Sequence, residues 1–344
     1  MKRARSRKGA PGIVEVALRA GVAPATVSRY FNSPKIVKLQ TRNRIEKAAS
    51  DLGYIRDRMA GTLHNRFSGT IGLVVPTIDN AIFAELIEAF AAKLREHDRT
   101  LLIAAHGYDL SLEVDIIRSL LERRIDGVAL IGFDHEKAPI EMLTVRNIPA
   151  VAIWNYRKDS ALDCIGADNF DAGYQVTDYL ITRGHRDIAL LFPSTKANDR
   201  AHDRLSGSLS ALSDANITLP NKRLLEAPYD IGAAKEVVKN LLKAELPDAL
   251  VCGNDIIAQG AIYACQSMGV DIPQGLSVIG IGDFRGSAHM EPALTTLRMP
   301  ARRIGNESAE ALCLGLFEGR RMEKKRVLIP TTIIERNSVR QTIA

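Results

Sequence analysis

The run "EVALRAGVAPATVSRYFNSPKIV", residues 15–37, decides the reading of this chain, because two short helical patterns meet there at a glycine. Ile13, Val14, Val16, Ala17 and Ala20 repeat at helical spacing, Gly21 interrupts, and Val22, Val27 and Phe31 resume the pattern. A helix-turn-helix needs a small residue where its helices cross, a residue tolerant of positive φ in the turn, and an aliphatic residue inside the second helix. Ala17, Gly21 and Val27 supply these in that order. Pro24 suits the first turn of the second helix, where a missing N–H costs nothing. That helix presents Ala25, Thr26, Ser28, Arg29 and Asn32, side chains short or polar enough to approach phosphates and base edges in a major groove.

Working outward, a third helix from Thr41 carries Ile45, Ala48, Ala49 and Leu52 and is expected to end at Gly53. The stretch "RDRMAGTLHNRFSG", residues 56–69, has little apolar surface and reads as a marginal helix suited to a hinge. Residues 1–66 hold 15 Lys and Arg against 4 Asp and Glu, while the remainder holds 31 against 36. The net +6 therefore hides a strongly cationic arm on a slightly acidic body. Such a split calls for a polyanionic partner for the arm. A membrane-surface helix would want large apolar residues opposite its basic face, and this helix is too short and mixed. The four cysteines lie far apart without C-x-x-C spacing, which indicates neither a disulfide framework nor a zinc site. With no apolar segment of spanning length and no signal-peptide core, a cytoplasmic protein without membrane partners is expected.

The runs "VEVALRAGVAPATVSRYFN" and "RNRIEKAASDLGYIRDRMAGTL" resemble the DNA-binding headpiece and hinge of the LacI/GalR family of bacterial transcription regulators. The resemblance implies that Pro24, Ala25 and Arg29 face bases, that Thr26, Ser28 and Asn32 hold the DNA backbone, and that Leu63 wedges a minor-groove step. It implies a pseudo-palindromic double-stranded operator read by a homodimer. Gly12, where the family usually has Thr or Ser, is a departure that weakens the cap of the first helix.

In the body, short apolar runs alternate with helical patterns: "TIGLVVP", Phe83 to Glu96, "RTLLIAA", Leu112 to Arg123, "DGVALIG", Glu136 to Val145 and "PAVAIW". A second series follows Asp168 and includes "DIALLF", "DALVCG" and "LSVIGIG". The expected fold is an all-α headpiece with a hinge, then two similar doubly wound parallel α/β subdomains of periplasmic-binding-protein type. Its boundaries are expected at 1–55 for the headpiece, 56–68 for the hinge, 69–165 with 297–324 for the first subdomain, and 166–296 with 325–340 for the second. No leucine heptads follow "ERNSVRQTIA", so no tetramerising helix is expected there.

The family pattern implies an effector between the two subdomains, contacted by Phe83, Trp154, Arg200, Arg204 and Asn254, with Asp283 as a further acceptor. Family members that bind neutral sugars or purines commonly carry a carboxylate directly after Ile281, where this chain has Gly282. That departure, with Arg200 and Arg204 kept, implies a sugar acid such as gluconate; "HGYDLSLE" and "IGADNFDAGYQ" look closest to the gluconate-repressor branch. A neutral sugar or purine effector is the alternative. A transporter-linked sugar-binding protein is opposed by the cationic arm. No catalytic constellation is found, so no enzyme, cofactor or metal is expected; His185 in "TRGHRDI" reads as a favourable helix terminus.

Overall fold

The structure, a computed structural model, describes residues 11–56, 67–317 and 326–341. The chain separates into two compact units, Met1–Ser68 and Gly69–Ala344.

The first unit holds three helices, α1 (Ile13–Ala20), α2 (Pro24–Asn32) and α3 (Leu39–Leu52). Gly21 ends α1 in the left-handed region at φ 64°, which only glycine adopts without penalty, and this turns the chain into α2. Gly12 offers no side chain to cap α1, yet Glu15 reaches back so that Gly12 N donates to Oε2 at 2.9 Å. Val16, Ala17, Ala20, Val27, Ile45, Ala48 and Ala49 form the core. Full burial of Val27 and Ile45 contributes about 1.5–3 kcal/mol each.

The second unit contains two six-stranded sheets. The first follows β1 (Thr70–Val75), α4 (Ala81–Glu96), β2 (Thr100–Ala105), α5 (Glu113–Glu122), β3 (Gly127–Ile131), α6 (Lys137–Val145), β4 (Ala150–Asn155) and β5 (Asp163–Ala167). The chain then builds α7 (Asn169–Thr182), β6 (Ile188–Phe192), α8 (Asp199–Asp214), β7 (Leu224–Glu226), α9 (Ile231–Ala244), β8 (Ala249–Cys252), α10 (Asp255–Met268), β9 (Ser277–Gly282) and β10 (Thr295–Arg298). It returns through α11 (Ala301–Phe317) and β11 (Arg326–Leu328), and ends with β12 (Thr332–Ile334). Strand order is β11-β5-β4-β3-β1-β2 in one sheet and β12-β10-β9-β8-β6-β7 in the other. All pairings are parallel except β10 with β12. The central strands β3, β8 and β9 are buried along their whole length, as strands covered by helices on both faces must be.

Sheet pairing moves the expected boundaries. β5 runs to Ala167, β10 places residues 297 and 298 in the second sheet, and β11 pairs with β5 in the first. The run "RVLIPTTII" is thus two strands in different sheets, separated at Pro330, which can donate no ladder hydrogen bond.

In each sheet the strand order reverses beside its first strand, at β1/β3 and at β6/β8, and the carboxyl ends beside such reversals form the crevice where open α/β sheets bind ligands.

Candidate effector cleft and DNA-reading helix

In the first unit, Pro24, Ala25, Arg29 and Asn32 are exposed and Thr26 and Ser28 half-buried, while Val27 points into the core. Arg29 pairs with none of the described residues, so its guanidinium is available. Asn32 is already engaged: its Nδ2 donates to Ser28 Oγ at 3.3 Å, and its Oδ1 accepts from Arg56. Leu63 lies outside the described residues.

In the second unit the carboxyl ends of the two sheets face each other, joined by a chain of buried polar groups. Asp199, at the start of α8, accepts from Phe133 N at 2.7 Å and from Asn155 Nδ2 at 2.8 Å, both in the first half. Its other oxygen pairs with Arg200 Nη1 at 2.9 Å. Gly132 leaves room for this pairing, since a Cβ there would lie 2.5 Å from Arg200 Nη1. Asn155 Oδ1 accepts from Asn169 Nδ2 at 2.7 Å, Asn169 Oδ1 accepts from Arg204 Nε at 2.7 Å, and Arg204 Nη1 donates to Gly253 O at 3.0 Å. Gly173 and Gly207 allow this line to close. Each presses its Cα against backbone of the opposite helix, where a Cβ would sit 1.9 Å from Arg204 O or Phe170 O, so α7 and α8 touch and Arg204 reaches Asn169.

Burial lowers the pKa of Arg204, and Arg200 beside it acts in the same direction, while the phenols of Tyr229 and Tyr108 oppose. No described residue takes its Nη2, which leaves a donor for a ligand. Tyr108, after β2, stacks on Tyr229, after β7, with ring centroids 5.9 Å apart and planes 29° apart. Burial pushes the Tyr108 phenol well up, so it stays a neutral donor. His106, two residues before Tyr108, is also buried, and burial lowers its pKa.

The bacterial regulatory protein lacI family matches residues 12–57, and the periplasmic binding protein-like domain matches residues 177–339. The HTH-type transcriptional repressor PurR of Erwinia tasmaniensis is 33% identical over 330 residues, 95% of this chain and 96% of that relative. The transcription regulator GntR of Chromobacterium violaceum is a solved structure with 29% identity, covering 78% of this chain and 98% of its own, at a TM-score of 0.74. The operator-bound lac repressor dimer shares the fold at a TM-score of 0.83 with 24% identity, covering 96% of this chain and 99% of its own. This chain belongs to the LacI family. It is a DNA-binding regulator with two α/β subdomains, not an enzyme. Among the described residues no helix is long and apolar enough to cross a membrane.

Within this LacI-family body the side chains expected at the effector divide sharply. Arg200 and Arg204 lie on the cleft network. Asn254 caps α10, its Oδ1 accepting from Ile257 N at 3.0 Å, so that acceptor is spent on the helix. Phe83 and Trp154 pack edge to face at 5.3 Å in the core, 3% and 1% exposed. Trp154 nonetheless sits at φ 81°, a conformation costing about 1–3 kcal/mol for such a residue, and its Nε1 has no partner among the described residues.

Asp283 is not a free acceptor. Arg298 Nε and Arg336 Nη2 each donate to it at 2.6 Å. The place of the missing carboxylate is filled by Phe284, whose ring would meet a Cβ on Gly282 at 2.4 Å. Asp255 is structural, accepting from Ser287 Oγ, Thr296 Oγ1 and Phe284 N at 2.5, 2.6 and 3.1 Å; burial raises its pKa and these bonds oppose the rise. His185 is fully buried with neither ring nitrogen bonded, and burial lowers its pKa. It is a neutral core residue, not a charged helix terminus, because burial disfavours the imidazolium more than the nearby Asp248 carboxylate favours it.

Asp199, Asn155, Asn169, Tyr108 and Tyr229 were not among the expected site residues. Asp199 carried a usable signal, an acid beside Arg200 at a helix start; the others are joined only by folding.

Proposed function

We propose that this regulator is a homodimeric repressor whose affinity for a pseudo-palindromic operator is set by a small ligand bound between its two α/β subdomains. The ligand is a planar heterocycle of the purine class. The observation that carries this is the Tyr108–Tyr229 pair beside the free Arg204 Nη2. Two flat faces from opposite halves, opened to about 7 Å, accept one aromatic ring at van der Waals distance on each side. Arg204 then donates to a ring or exocyclic oxygen. The likeness to PurR repressors agrees with this class.

A sugar acid is a second reading, favoured by one observation. Phe284 fills the space beside Gly282, which takes an acceptor away from hydroxyl-rich neutral ligands and leaves arginine as the dominant cleft charge.

A ligand that prefers one relative arrangement of the halves shifts that equilibrium, and by linkage DNA and effector alter each other's affinity by the same factor. Thermal unfolding of the full chain against purine bases, nucleosides, sugar acids and neutral sugars tests the choice. A ligand at a hundredfold over its Kd adds about 2.7 kcal/mol. A response to purines alone supports the first reading; a response to sugar acids alone replaces it with the second.

A further inference from the structure

The polypeptide leaving α3 doubles back over the end of α2. Gly53, left-handed at φ 61°, reverses the chain, and Tyr54 N donates to Ala49 O at 2.8 Å. The Tyr54 ring then lies 5.6 Å from the Phe31 ring, which Tyr30 also meets edge-on at 4.9 Å. Two residues later Arg56 Nη1 donates to Phe31 O at 2.6 Å and its Nη2 donates to Asn32 Oδ1. Asn32 passes the contact back one helical turn to Ser28 Oγ.

A helix end carries carbonyls without intrahelical partners and partial negative charge, so a guanidinium is the side chain best matched to it. Its planar fork engages two acceptors at once, which the point charge of a lysine does not reproduce. α2 needs such a brace: it is nine residues long, Val27 is its sole fully buried residue, and no side chain caps its start.

We infer that Arg56 is a positioning residue for DNA recognition, holding the C-terminal end of α2 so that its exposed face meets DNA at one fixed angle. The inference rests on α2 being the reading helix. Asn32 then acts chiefly as the anchor of this brace, and the line Arg56–Asn32–Ser28 stiffens the face that bears Arg29.

The test uses the full chain, a duplex selected by the wild type from a randomised library, and a scrambled duplex of equal length. Arg56→Ala is expected to lower the ratio of the two affinities by about tenfold, the order set by losing charge-assisted hydrogen bonds. Binding to the scrambled duplex should keep its salt slope. Arg56→Lys should restore less than half of the loss, and Asn32→Ala combined with Arg56→Ala should cost no more than the larger single change.

Equal losses on both duplexes, with the salt slope reduced by about 0.9, would make Arg56 a phosphate contact and overturn the inference. An unchanged ratio would overturn it as well. If Arg56→Ala unfolds the first unit, the decision passes to Arg56→Lys, whose ratio must still fall. Arg29→Ala separates the two levels: if it leaves the ratio unchanged, α2 is not the reader and both claims fail. If it lowers the ratio while Arg56→Ala does not, only the brace fails.

Discussion

Replacing Asp199 by alanine removes a buried carboxylate on which four donors converge: Phe133 N, Asn155 Nδ2, Arg200 Nη1 and Arg200 N, at 2.7 to 2.9 Å. The Asp199 and Arg200 side chains are 2% and 5% exposed, so water does not replace what is lost. Breaking a buried ion pair by deleting one partner costs about 3–5 kcal/mol, because the other charge is left uncompensated. The hydrogen-bond losses describe the same event and are not added to that figure. For a unit of roughly 280 residues, an unfolding entropy of about 2.1 cal/mol/K per residue gives about 0.6 kcal/mol/K, so the melting temperature falls by about 5–8 °C. Calorimetry on the full chain reads this in the transition of the α/β body. Asn155→Ala removes one donor and should cost less, and its effect should shrink when Asp199 is already alanine. A shift below about 1 °C for Asp199→Ala would refute the idea that this carboxylate ties the two halves together.

Arg29→Ala should cost about 1–3 kcal/mol of base discrimination, read as a loss on the selected duplex that random DNA does not share. His185 has a folded-state pKa depressed by burial, so its contribution is complete above its unfolded value of about 6.5 and is lost as pH falls through the folded value. The melting temperature should therefore drop between pH 7.5 and 5.5, and less steeply in His185→Leu; parallel curves would count against the assignment. Asp283→Asn should destabilise the body by about 1–3 kcal/mol through the largely buried Arg336 while leaving ligand affinity unchanged, and a loss of affinity at equal stability would return Asp283 to the site.

Much of the fold was legible because its signals are local. The Gly21 turn, the apolar periodicity of α1 and α3 and the long buried strands each show within a dozen residues of sequence. β5 and β7 escaped for lack of a clear apolar run: β5 begins on a half-exposed aspartate and contains a glycine, and β7 is three residues with two exposed. The tail, residues 325–340, was assigned whole to the second subdomain because nothing local says that Val327 and Ile333 belong to different sheets. In the cleft, the arginines were legible from family pattern, whereas their partners were not. Asn155 and Asn169 carry no chemistry that distinguishes them in sequence, and they become a site only when a β-strand of one half and a helix of the other bring them within 2.7 Å. The engagement of Asp283 was hidden for the converse reason: Arg298 and Arg336, which pair with it, are remote or unremarkable in sequence.

The passage of β11 back to β5 bears on the order in which the protein is made. Neither half of the body is a continuous segment, and the first sheet lacks its edge strand until residues 326–328 have left the ribosome. The cationic three-helix unit is complete by residue 56. At about 5–20 residues per second, roughly 14–54 seconds separate the two events. During that interval each nascent chain displays a finished DNA-binding unit on an unfinished, partnerless body whose β5 edge is open. Polysomes translating this regulator thus expose that edge in many copies at once, which makes it the place where chaperone engagement or premature strand pairing between neighbouring chains would begin.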